Sequence, residues 1–231
     1  MYDAMTRLLD RIDRLEERER FADALAVARR ACALAPDEPA AWEARGEMAL
    51  RSGELSESAE AWNHLTRLEP DSASAWFGLG EALQWNGRSE AEECFRSAAR
   101  LDPQTYAVPF RISPAEFEAV AGAVLPGLPA RVIDFLEETG TVIAALRLPT
   151  VEQVVESRLD PHALGYWLGN VYGVTGVWGL ANPAAIQIYQ LNIENWCPDR
   201  AALSQEIART VLHEVGHAVG MDHAALDADG Y

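Results

Sequence analysis

The sequence predicts an α+β protein in two parts, an all-helical repeat array followed by a small domain that combines a short mixed sheet with a long helix. Two observations lead to this prediction. The first hundred residues repeat with a period of 34, and the end of the chain carries an amphipathic helical pattern preceded by strand-like segments. We divide the chain into helical repeats over 1–103, a linker over 104–112 and a second domain over 113–231.

The repeat is visible as two copies in register. The matched pairs are Trp42 with Trp76, Gly46 with Gly80, Gly53 with Gly87 and, after one deleted residue, Trp62 with Phe95 and Pro70 with Pro103. A degenerate first copy ends at Pro36 and has Leu8 in place of the tryptophan. Each copy reads as two helices joined by a turn. Because a single helix pair cannot cover its own apolar face, we expect three stacked pairs with the aromatic residues packed between helices.

This pattern of an aromatic residue, a small residue four positions later, a turn glycine and a closing proline resembles the tetratricopeptide repeat (TPR). The resemblance implies a solenoid whose concave surface binds a peptide segment or another protein. The sequence does not identify that protein partner. Arg45 and Arg51 are interpreted as residues of a solvated helix face.

Charge and composition exclude several classes of partner. Nineteen arginines and no lysine stand against 36 acidic residues, a net charge of −17 that repels phosphate backbones, so we expect no nucleic-acid partner. Residues 164–181 are uncharged and long enough to cross a membrane, but five glycines in 161–193 make the stretch weakly hydrophobic, and we expect no membrane partner. It is interpreted as a buried loop and short strand, forming a wall or flap of the cleft.

The cysteines and the N-terminus indicate the compartment. Cys32, Cys94 and Cys197 are an odd number far apart in sequence, which is typical of free thiols in a reducing environment. The N-terminal segment is charged from its third residue and has no apolar core typical of a secretory signal. The sequence therefore predicts a cytoplasmic protein.

The last part of the chain carries residues suited to metal chemistry. An amphipathic helix predicted to start after Asp199 leads into HEVGHAVGMDH, in which His213 and His217 are one turn apart on one face. Gly220 is placed to end the helix, so that His223 turns back toward the two histidines. The string fits HExxHxxGxxH, which supplies three protein ligands and leaves a fourth position open to water.

Imidazole ligands favour zinc over magnesium or calcium, so we expect one Zn2+ per chain. Zinc lowers the pKa of a bound water, and Glu214 next to the first ligand is predicted to be the general base that takes its proton. Peptide-bond hydrolysis is the reaction class that this combination indicates, with a peptide or protein as substrate.

The region from about residue 110 onward resembles the minimal zincins, a small bacterial zincin-like family, and not the metzincins, because no methionine follows His223. The resemblance is carried by ISPAEFEAVAGAVLPGLPARVIDFLEE, GTVIAALRLP, AIQIYQLNIENWC and TVLHEVGHAVGMDHAALDADGY. It implies a zinc metallopeptidase domain. The family commonly has Asp at the position of His223. We interpret Asp222, which directly precedes it, as a residue that orients a ligand imidazole or as an alternative ligand.

Two questions stay open at the level of sequence. The alternating segment Ile186–Leu191 is either an edge strand that receives an extended substrate or an interior strand without a ligand. The protein itself is either an active peptidase or a silent or latent zinc-binding protein whose repeats act as a scaffold. Glu214 favours the peptidase, because a structural zinc site needs no general base.

Overall fold

The structure is a computed structural model that describes residues 2–169 and 184–221. The chain forms two compact units: the residues up to Val108 together with Pro149–Pro161, and Pro109–Leu148 together with the chain from His162 onward. The first unit is helical and the second combines helices with a small mixed sheet. The α+β prediction, with a helical N-terminal part, is therefore confirmed.

Between residues 2 and 108 the chain is built from consecutive helices joined by short turns. In order they are α1 (Tyr2–Glu16), α2 (Phe21–Leu34), α3 (Pro39–Arg51), α4 (Leu55–Leu68), α5 (Ala73–Trp85) and α6 (Ala91–Leu101). Consecutive helices pack against each other along the series. Small buried residues such as Ala24, Ala28 and Ala49 let the helices approach closely.

The same packing contact recurs in both predicted copies. A Cβ atom added to Gly46 would lie 2.6 Å from Trp62 Nε1, and one added to Gly80 would lie 2.8 Å from Phe95 Cε1. In each copy the aromatic ring of the second helix therefore packs on the bare backbone of the first. The ring of Trp62 also packs on Gly78, where an added Cβ would lie 2.7 Å away. These contacts explain why the repeat pairs a glycine with an aromatic residue.

The turns repeat as well. Trp42 Nε1 donates to the carbonyl of Pro36 at 2.7 Å, and Trp76 Nε1 donates to that of Pro70 at 2.8 Å. Gly53 and Gly87, in the turns between paired helices, have φ of +76° and +67°, which glycine adopts without strain. Both pairs are 34 residues apart, so the period found in the sequence is a period of the structure.

The remaining elements follow in chain order: α7 (Pro114–Gly122), a 3-10 turn (Leu125–Gly127), α8 (Ala130–Glu138), β1 (Val142–Leu146), α9 (Val151–Glu156), β2 (Gly165–Leu168), β3 (Ala185–Tyr189), α10 (Gln190–Glu194) and α11 (Arg200–Ala218). A buried carboxylate anchors the start of the second unit. Glu194, fully buried, accepts hydrogen bonds from the Ile112 backbone at 3.2 Å and from Gln190 Nε2 at 2.6 Å, and it pairs with Arg111 at 3.3 Å.

Helix α9 groups with the repeats, although the sequence places it between two strands of the second unit. It begins with a reciprocal cap in which Gln153 N donates to Thr150 Oγ1 at 3.1 Å and Thr150 N donates to Gln153 Oε1 at 2.9 Å. Asp160 pairs with Arg51 at 3.3 Å, and Arg158 pairs with Glu19 at 2.9 Å. Within the range 113–231 expected for the second domain, Pro149–Pro161 thus belong to the first compact unit.

The sheet has the order β1-β3-β2. Strand β3 pairs in parallel with β1, where Ile186 lies opposite Ile143, and antiparallel with β2, where Ile186 lies opposite Trp167. The edge-strand interpretation of Ile186–Leu191 is therefore wrong. The strand ends at Tyr189, and its hydrogen-bonding edges are occupied by β1 and β2. Alternation in a sequence reports which side chains are buried and carries no information about neighbouring strands.

The core of the second unit lies between this sheet and α11. Ile186 and Ile188 of β3 belong to one buried cluster with Leu203, Ile207, Val211 and Val215 of α11. Each of these side chains stabilises the unit by about 1.5–3 kcal/mol when it is removed from water. Cys197 lies in the same cluster, and burial raises its pKa to about 11, so it is an apolar core residue.

Among the described residues, no single helix is long and apolar enough to cross a membrane. One pair of helical segments, residues 114–127 with 130–138, reaches the required length and composition but is bent by 120° between its members. Of the uncharged stretch 164–181, residues 165–168 form β2, and residues 170–181 lie outside the described residues.

Candidate metal centre and general base

Helix α11 carries the predicted motif, and its ends are fixed by local hydrogen bonds. Asp199 caps the start by accepting from the backbone of Ala202 at 2.9 Å. At the other end Gly220 has φ of +92°; its N–H donates to the His217 carbonyl at 3.0 Å, and the Met221 N–H donates to the Gly216 carbonyl at 2.9 Å. This pair of bonds is a Schellman motif, which stops the helix and turns the chain back, as the sequence predicts for Gly220.

His213 and His217 are brought together on one face of α11. Their Nε2 atoms are 3.1 Å apart, and their rings are nearly perpendicular, with an interplanar angle of 85°. Zinc binds imidazole nitrogen at about 2.0–2.1 Å, so tetrahedral coordination would separate two such nitrogens by about 3.3 Å. The observed separation fits a shared zinc ion within a few tenths of an ångström.

The turn that follows the helix orients the His217 ring and favours one of its tautomers. Its Nδ1 lies 3.1 Å from the backbone carbonyl of Met221, and a carbonyl can only accept, so Nδ1 carries the proton. In the neutral ring Nε2 therefore presents its lone pair, the atom that a metal requires. An orienting role was predicted for Asp222 and not for Met221, because a backbone carbonyl leaves no signature in residue identity.

Glu214 lies between the two histidines in sequence and is buried, with only 7% of its surface exposed. Burial raises the pKa of its carboxyl group from 4.5 to about 7, and a hydrogen bond from the backbone N–H of Trp167 in β2 partly opposes that rise. A carboxylate with a pKa near neutrality is suited to accepting and returning a proton. This contribution of β2 is made by a backbone amide and cannot be read from residue identity.

The structure does not describe the remaining predicted site residues. His223 and Asp222 lie outside the described residues. Within 2–169 and 184–221, no histidine, cysteine, aspartate or glutamate joins the pair in a group of three able to hold a metal. Of the predicted site residues, the structure thus brings His213 and His217 together and places Glu214 on the same helix.

Comparison with known protein families agrees with these two parts. Residues 9–64 and 49–106 match the family model described as tetratricopeptide repeat, and residues 137–231 match the model described as zincin-like metallopeptidase. No curated protein matches the chain at a significant level. The chain therefore carries tetratricopeptide repeats over residues 9–106 and a region similar to zincin-like metallopeptidases over residues 137–231.

Proposed function

We propose that the protein is a zinc-dependent peptidase whose repeats bind a protein partner or substrate. The observation that carries this proposal is the pair of Nε2 atoms of His213 and His217, 3.1 Å apart on the helix that also holds the buried carboxyl group of Glu214. Two imidazoles at this separation suit a metal, and a general base beside them suits hydrolysis. The family match to metallopeptidases supports the same reaction class.

We assign the zinc ligands to His213, His217 and His223, with one ion per chain. Asp222 is assigned to orienting a ligand imidazole, alongside the Met221 carbonyl that already orients His217. Zinc, when bound, supplies Lewis-acid activation of water and polarisation of the scissile carbonyl. Three imidazoles are neutral ligands, so the full charge of the ion remains available for this activation.

Glu214 performs the proton transfers in this proposal. A carboxylate oxygen takes a proton from the attacking water as the new C–O bond forms. The same group then delivers that proton to the amide nitrogen as the C–N bond breaks, so the products are a carboxylic acid and an amine. Burial, which raises the pKa of this carboxyl group in the metal-free protein, favours its protonated form and so favours its acceptance of the proton.

The position of Glu214 indicates where the peptide lies. In the described sheet β1 and β2 are the outer strands, and β2 contacts Glu214 through the Trp167 amide. A substrate chain placed at Glu214 therefore runs beside β2. We therefore assign the binding of an extended substrate to β2 and not to Ile186–Leu191, because β3 is flanked by strands on both sides.

The test compares the wild type with Glu214→Gln on a library of quenched fluorescent peptides. The substitution keeps the shape of the side chain and removes the base, so we expect kcat/KM to fall at least a hundredfold while bound zinc is unchanged. Glu206→Gln, the same change about two turns earlier on α11, is the control and should keep full activity.

Two results would contradict the proposal. If Glu214→Gln turned over peptides as fast as the wild type, the residue would not be the base. If the zinc-loaded wild type cleaved no peptide of the library, the alternative of a zinc-binding scaffold built on the repeats would replace the peptidase.

A further inference from the structure

Strand β2 is built around the carboxylate of Glu214. A Cβ atom added to Gly165 would lie 2.7 Å from Glu214 Cγ, 2.9 Å from Glu214 Oε1 and 2.9 Å from Thr210 Cγ2. These separations are shorter than real Cβ contacts, so any other residue at position 165 would have to displace the Glu214 side chain and the Thr210 methyl group. Two residues further along the same strand, the Trp167 amide donates a hydrogen bond to that glutamate.

The backbone of Gly165 does not itself require glycine. Gly165 is absent from the residues of the described chain that have positive φ, and its strand pairs regularly with β3 opposite Ile188. Glycine weakens a strand, and its presence there commonly marks a close approach of another group. At position 165 the approaching group is the side chain of Glu214.

We propose that Gly165 is a positioning residue for Glu214: the absence of a side chain at 165 creates the space for the carboxylate, which the Trp167 amide then holds. The contact is a property of the chain itself and is present without metal. Its catalytic consequence rests on the proposed function, in which Glu214 is the base.

The first test measures the contact in metal-free protein by a double-mutant cycle. The wild type, Gly165→Ala, Glu214→Ala and the double variant are unfolded in urea. Gly165→Ala should raise the unfolding equilibrium constant about tenfold, as overpacking of a buried site does. In the Glu214→Ala background Cγ and Oε1 are gone and only the contact with Thr210 remains, so the same change should raise it less than threefold.

If Gly165→Ala alone does not fold, the double variant should still fold. The proposal can therefore be refuted in that case as well. Gly122→Ala is the control: it lies in α7 of the same unit, and an added Cβ meets nothing within 4 Å. Its effect should be the same with and without Glu214. An equal effect of Gly165→Ala in both backgrounds would overturn the proposal.

The second test separates positioning from a general loss of structure. In zinc-loaded protein, Gly165→Ala should lower kcat by about a hundredfold with KM and zinc content close to the wild type, since a displacement of about 1 Å has this effect. An unchanged kcat together with a clear stability coupling would overturn the positioning role. If the wild type hydrolyses no peptide, the proposed function and the effect of Gly165 on catalysis are both wrong. The stability coupling between Gly165 and Glu214 still stands in that case.

Discussion

Replacing Gly220 by alanine is expected to weaken zinc binding although the residue is not a ligand. Gly220 has φ of +92°, and its turn places the Met221 carbonyl 3.1 Å from His217 Nδ1. A residue with a Cβ in a left-handed conformation costs about 1–2 kcal/mol. The turn can relieve this strain only by moving Met221, which releases the hydrogen bond that orients His217.

The expected magnitude follows from these two effects. The metal-free protein should lose about 1 kcal/mol of unfolding free energy from the strained turn. Loss of a hydrogen bond that orients a metal-bound imidazole lowers metal affinity by about 10- to 100-fold, and Gly220→Ala should fall in this range.

The assay is competition for zinc against a chromophoric chelator, combined with urea unfolding of the metal-free variants. Gly122→Ala serves as the matched control, because it has no positive φ and meets open space. It should bind zinc as the wild type does. A zinc affinity of Gly220→Ala within twofold of the wild type, with the stability loss present, would refute the link between the turn and the metal centre.

Two further predictions concern the repeats. Glu57 accepts hydrogen bonds from Arg29 at 2.9 Å and from Arg45 at 2.7 Å, which hold its pKa at about 2, below the usual 4.5. The stabilisation that ionised Glu57 supplies is fully present above pH 4.5 and is lost as the pH falls toward 2. Between pH 6 and pH 3 the wild type should therefore lose about 1 kcal/mol more unfolding free energy than Glu57→Gln. This magnitude is discounted for solvent screening, because the Arg29 side chain is exposed. Equal losses in urea titrations at the two pH values would contradict this. Trp62→Ala removes a ring packed on Gly46 and Gly78 and should cost about 3–5 kcal/mol of unfolding free energy, measured by urea unfolding; a loss below about 1 kcal/mol would show that this contact does not hold the repeats together.

The features that the sequence predicted correctly are those set by local periodicity. Trp42 and Trp76, which are 34 residues apart, each donate a hydrogen bond to the carbonyl of a preceding proline. The spacing of His213 and His217 placed two rings on one helix face, since four residues are about one turn. The glycine expected at position 220 ends α11, because only the local backbone decides that turn.

The features that escaped prediction depend on which distant segments meet. The alternation in Ile186–Leu191 left an edge strand and an interior strand equally possible; β1 and β2 flank β3, and no local pattern encodes strand order. The Trp167 amide and the Met221 carbonyl act through the backbone, which is common to all residues. Gly165 was the one available signal, as a glycine at the start of a short apolar strand.

The most direct test of the account is the zinc content of the purified protein, measured by elemental analysis for the wild type, His217→Ala, His223→Ala and Asp222→Ala without added metal. We predict about one zinc per chain in the wild type, loss of zinc in both histidine variants and retention in Asp222→Ala, as a three-histidine site with an open water position requires. A wild type without zinc, or a loss of zinc in Asp222→Ala equal to that in His223→Ala, would contradict this site. Either result would favour the repeats as the functional part of the protein.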